Sequence, residues 1–64
     1  MTRLPHGAEV RTPDGTGRIQ EIETDGYRVM FEMAKYHGEI PEKFHKDTSP
    51  TISKSYREDE VRKA

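Results

Sequence analysis

The sequence predicts an all-β domain, a small antiparallel barrel of five short strands, and three observations carry that expectation. Pro13, Asp14, Gly15 and Gly17 concentrate turn chemistry within a few residues, proline fixing φ and glycine permitting positive φ. Asp25 and Gly26 then form a dipeptide suited to the tight turn of a hairpin, whose central residues need positive φ. Beyond that pair, Tyr27, Val29, Phe31 and Met33 alternate with Arg28, Met30 and Glu32, the period of a strand buried on one face. Residues 7–31 therefore read as a β-meander around which the chain is organised.

Taken in order, residues 1–6 contain Pro5 and no periodicity, and are expected to be a flexible lead-in to a single domain over residues 7–64. Leu4 is placed to cover one end of the barrel. The first strand, 8–12, puts Ala8, Val10 and Thr12 on one face and leaves Glu9 and Arg11 toward water. In the second strand Ile19 and Ile22 are three positions apart, which strict alternation cannot place on one face. A β-bulge near Gln20 and Glu21 reconciles them and supplies the bending that a small barrel needs to close. After Met33 the pattern dissolves over residues 34–50, an insertion longer than ordinary connections and so a candidate working surface. Tyr36, Ile40 and Phe44 recur at helical spacing, but Gly38 and Pro41 interrupt it, which leaves room only for a short helical turn over 41–46. The fourth strand, 51–56, carries Ile52 and Tyr56 on one face with Lys54 between them, an edge-like polarity. Residues 57–60 hold no apolar side chain and suit one 3₁₀ turn, after which Val61 returns to the core in a brief last strand. The predicted core is Val10, Ile19, Ile22, Val29, Phe31, Ile52, Tyr56 and Val61.

Composition sets the limits. Of 64 residues, 30% are hydrophobic and 36% charged, so there is one small core and most side chains are solvated. With no cysteine, disulfides, thiolate metal sites and a thiol nucleophile are all excluded, and weak self-association becomes a natural way to bury more surface. No apolar run approaches the ~20 residues of a membrane helix and the first residues lack a signal-peptide core, so the expectation is a soluble cytoplasmic protein. Eleven basic against twelve acidic residues do not make the cationic footprint of a dedicated duplex-DNA binder.

The opening EVRTPDGTGRI and the ending SYREDEVRKA resemble the SH3-like small-barrel superfamily, with its KOW-like and Tudor-like members. The resemblance covers roughly residues 7–33 and 51–63. It implies a glycine turn between the first two strands, a three-stranded meander, and a 3₁₀ turn before a brief last strand. Gly15, Gly17, Asp25, Gly26 and residues 57–60 stand at the matching places. The chain departs from the pattern in its long insertion before the fourth strand, and it lacks the aromatic pair and acidic loop of peptide-binding SH3 domains. Nor do Tyr27, Tyr36 and Tyr56 make a recognisable methyl-lysine cage. Fold alone does not transfer function.

Catalytic and metal chemistry find little support. His6, His37 and His45 are separated by 31 and 8 residues, which matches no compact metal motif. Gly15, Thr16 and Gly17 run into a strand rather than a helix, so they are turn residues and not a phosphate cradle. Ser49, Ser53 and Ser55 lack a nucleophile elbow, and the carboxylate pairs Glu21/Glu23 and Glu58/Asp59/Glu60 lack a core able to enclose a pocket. The expectation is a non-catalytic binding module or accessory subunit without cofactor or metal. Its protein-partner surface is assigned to Tyr36, His37, Ile40, Lys43, Phe44, His45 and Lys46, where mixed charge surrounds a few aromatic and aliphatic anchors. Tyr36, Ile40 and Phe44 could instead plug the barrel, and both uses stay open. The alternative ligand is RNA or single-stranded DNA, bound through Arg11, Arg18, Arg28, Lys35, Lys43 and Lys46 with aromatic rings available for stacking.

Overall fold

Two tight turns set the sheet. In the computed structural model, which describes residues 3–40 and 50–64, Thr12 and Gly15 face each other as the last pair of strands β1 (Glu9–Thr12) and β2 (Gly15–Glu23), leaving Pro13 and Asp14 as the turn. Gly15 and Gly17 were expected in that turn, but they belong to β2. Thr12 Oγ1 tightens the turn by accepting the Asp14 N–H at 3.2 Å and donating to the Gly15 carbonyl at 3.0 Å, a local arrangement that hydroxyl residues offer at turns. Gly15 has φ +133°, and a Cβ there would run into the Lys35 carbonyl, so both backbone conformation and space require glycine. The second turn joins β2 to β3 (Gly26–Glu32): the hairpin signal is met, but the turn residues are Thr24 and Asp25, and Gly26, expected in the turn at positive φ, instead opens β3 paired to Glu23 with no positive φ.

The remaining elements are a 3₁₀ turn at Met33–Lys35, strand β4 (Thr51–Arg57), a 3₁₀ turn at Glu58–Glu60 and strand β5 (Arg62–Lys63). All five strands form one antiparallel sheet in the order β4-β3-β2-β1-β5. Among the described residues this ladder is open, with β4 and β5 at its edges. The 3₁₀ turn before β5 lies where the sequence placed it: the Arg57 N–H is accepted by Glu60 Oε1 at 3.0 Å, and the Glu58 N–H reaches the Asp25 carbonyl at 3.1 Å. The helical turn expected over 41–46 lies outside the described residues.

One face of the sheet collects Val10, Ile19, Tyr27, Val29, Phe31, Ile52 and Tyr56, joined by Tyr36 and Val61, and among the described residues these nine are the buried core. Leu4, Ala8 and Met33 pack against it. Arg3 and Leu4 lie on Tyr27: the Leu4 N–H donates to the Tyr27 hydroxyl at 3.1 Å, and the Arg3 guanidinium stands 4.9 Å from the ring centre while donating to the Gly26 carbonyl at 2.7 Å.

The sequence placed Ile22 in the core, and this is corrected. The register of β2 against β3 does shift between Ile19 and Glu21, as the bulge argument required, and it sets Ile22 opposite Tyr27 on the core side. Yet Ile22 is 45% exposed: it stands one pair from the end of the hairpin, where Arg3 and Leu4 cover its partner Tyr27. Tyr27, which alternation set on the buried face, and Tyr36, for which a place inside the barrel was one of the two uses left open, are both buried.

Candidate functional site

The 33–40 segment is tied to the β1–β2 turn and to β4 at a single corner, organised by Asp14. Its carboxylate Oδ2 accepts the Tyr56 hydroxyl at 2.6 Å and the Lys54 ammonium at 2.9 Å, partners 42 and 40 positions along the chain. Its backbone carbonyl accepts the His37 N–H at 2.6 Å. Tyr36 forms an isolated antiparallel bridge with Gly15, and its hydroxyl donates to the Glu39 carbonyl at 2.6 Å, which turns the chain back at Gly38. Below these polar ties lies an aromatic floor. The Phe31 ring stands 5.1 Å from Tyr36, tilted, and 6.0 Å from Tyr56, edge to face, spacings at which aromatic pairs attract.

The electrostatics follow from these contacts. Hydrogen bonds from Tyr56 and then Lys54 hold the Asp14 carboxyl below its ordinary range, and the bond to Asp14 raises Lys54. Burial, and then the bond to Asp14, push the Tyr56 hydroxyl well above the ordinary phenol value, so it stays a neutral donor. A fixed carboxylate, a neutral phenol and a half-exposed ammonium, each already bonded to another, form a structural clamp; none is a group poised to exchange a proton near neutral pH.

The residues predicted to meet a partner divide at this corner. Tyr36 is buried in the core, whereas His37 and Ile40 are exposed, Ile40 at 39%. Met33, Ala34, Ile40 and Pro50 line an open, mainly apolar cleft beside Tyr36. Lys43, Phe44, His45 and Lys46 lie outside the described residues.

The basic residues of the alternative ligand set are interleaved with acidic ones. Arg11, Arg18 and Arg28 are exposed on the outer face, but Arg18 stands across from Glu9 and Arg28 across from Glu21, while Lys35 is the last residue of the 3₁₀ turn Met33–Lys35. Arg62, which sequence reasoning did not single out, faces Arg11 directly across β1 and β5. His6 and His37 are both exposed and belong to different segments.

Asp14 is the residue that sequence reasoning missed, having been read only as turn chemistry. A faint signal was available in Lys54, a charge placed between two core positions of an edge strand, which invites a search for a carboxylate to meet it. Comparison of the chain with known protein families, with curated proteins and with solved structures gives no match.

Proposed function

We propose that this chain is a non-catalytic binding module, an SH3-like barrel that engages a protein partner through residues 34–50 and the adjoining end of the sheet. The strand order, with β5 beside β1 and a 3₁₀ turn leading into it, supports the SH3-like architecture. One observation carries the functional reading. Four residues after Tyr36 is locked into the core, Ile40 is held out at the rim of an apolar cleft. An anchored base under an exposed aliphatic tip is preorganised for recognition, since little order has to be imposed when a partner arrives. The polar neighbours Lys35, His37 and Glu39 would form the rim that such interfaces carry.

The test is affinity capture with the full chain as bait in nuclease-treated native extract, comparing wild type with Ile40→Asp. A discrete protein captured by wild type and lost from the folded variant is the expected result. Equal capture by both would overturn the assignment of this cleft.

Binding of RNA or single-stranded DNA is the second reading, and the Arg11–Arg62 juxtaposition favours it. Like charges directly across a strand pair repel and are relieved by a bound anion. Labelled oligonucleotide titrated at 50 and 200 mM salt distinguishes the two readings: phosphate binding should weaken roughly tenfold or more over that range. Absence of binding at low salt would remove this reading.

A further inference from the structure

The outer face of the sheet carries a pattern that the cleft does not use. Its central row, read across the strands from the register, is Ala64, Glu9, Arg18, Met30 and Ser53, because Glu9 pairs with Arg18, Arg18 with Met30, and Met30 with Ser53. Ala64 extends the row by donating its N–H to the Glu9 carbonyl at 3.1 Å. Met30 is 37% exposed here, mid-strand, where alternation calls for a polar side chain. It borders a hollow of about 50 Å³ whose walls include Glu9, Arg18, Glu32 and Lys35. Glu9 and Arg18 are cross-strand neighbours of opposite charge, yet they make no ion pair; Arg18 instead gives one exposed hydrogen bond of 3.2 Å to the Gly7 carbonyl.

We propose that two copies of this chain pair through this outer face, about a two-fold axis running along the strands between β1 and β2. That rotation exchanges β1 with β2 and β5 with β3. It sets Glu9 of each copy against Arg18 of the other, and Met30 against the small Ala64. In the adjacent row Arg11 pairs with Arg62 and Thr16, and Glu32 lies two residues from Met30 on the same side of β3. The same axis therefore brings Arg62 opposite Glu32 and relieves the repulsion between Arg62 and Arg11. Each charged row is complementary to its own rotated copy, the condition for a closed isologous dimer. The outer face of a twisted sheet is curved, so the contact is small and the dimer belongs to the weak class.

The experiment is sedimentation equilibrium of the full chain up to about 1 mM, where weak complexes assemble, and it needs no knowledge of a partner for the Ile40 cleft. Wild type should dimerise, with association falling as salt rises. Arg18→Glu alone and Glu9→Arg alone each place like charges in contact twice and should weaken association at least about tenfold. An equimolar mixture of the two variants restores both contacts and should form a heterodimer as well as wild type does. Met30→Glu, at an already exposed position, should also give monomer while keeping wild-type amide dispersion. Wild type that is monomeric throughout, or a mixture that associates no better than its components, would overturn the proposal.

Discussion

The two ends of β2 are built in opposite ways. At the Glu23 end the ties run through the backbone: Thr24 and Asp25 turn the chain, Gly26 lets β3 and β4 approach closely, and the Asp25 carbonyl accepts the N–H of Glu58 from the last 3₁₀ turn. At the Gly15 end the contacts are remote, with Asp14 reaching Lys54 and Tyr56 from forty or so residues away and taking the His37 N–H as well. The sheet leaves β4 unpaired on its outer edge among the described residues, and the Asp14 side chain is what links that strand to the β1–β2 turn. Backbone grammar builds one end, and side-chain polarity joins the elements at the other. The second kind of end is the one that can hold an irregular segment such as 36–40 in a fixed place.

The largest effect should come from removing what both ends share. Phe31→Ala takes away the ring under Tyr36 and Tyr56 and should cost about 3–5 kcal/mol, most of the stability of so small a domain. Loss of amide dispersion and of a cooperative melt would show it. Gly26→Ala breaks only the hairpin end. Its Cβ would strike the Tyr56 carbonyl, and a cost of about 1–3 kcal/mol is expected from chemical denaturation.

Asp14→Asn loosens only the other end. Because the carboxylate is partly solvated, about 1 kcal/mol is expected, with the His37 and Lys54 amides shifting and those around Gly26 unchanged. The pH dependence sharpens this test. Asp14 is lowered from 3.8, so its contribution is complete above that value and fades as pH falls through the lower folded one; the difference between wild type and Asp14→Asn should shrink on acidification. Tyr56 and Lys54 are raised from 10.0 and 10.5, so their contributions are present below those values and are lost as pH rises through the folded ones. Spectrophotometric titration should find one tyrosine that ionises only as the protein unfolds in base. The smallest effect belongs to Ile22→Thr, expected within about 0.5 kcal/mol because that side chain is already exposed. A loss of several kcal/mol would reinstate Ile22 as a core residue.

The same contrast explains what could be read from the sequence. The existence of a hairpin near Asp25, the alternation of β3, the bulge after Ile19 and the 3₁₀ turn before Val61 are local patterns, and each was legible in a few consecutive residues, although the turn sits one residue earlier than the Asp25-Gly26 pair placed it. The bulge also put Ile22 on the correct face, but the pattern carries no information about which side chains near a strand end are covered. The Asp14 corner could not be read, because its partners are chosen by how the sheet curls and not by spacing along the chain. For the candidate site, the sequence singled out the 34–50 segment and its aromatic anchor, while the division between a buried Tyr36 and an exposed Ile40 needed coordinates.

The central claim is that the base of this segment serves the fold and its tip serves recognition. The most direct test combines two readouts on Ile40→Asp: an amide correlation spectrum, and capture from nuclease-treated extract beside wild type. The account predicts unchanged resonances for Val29, Phe31 and Tyr36, with loss of the captured protein. A variant that stays folded and captures that protein as wild type does, or one whose core resonances collapse, would contradict it.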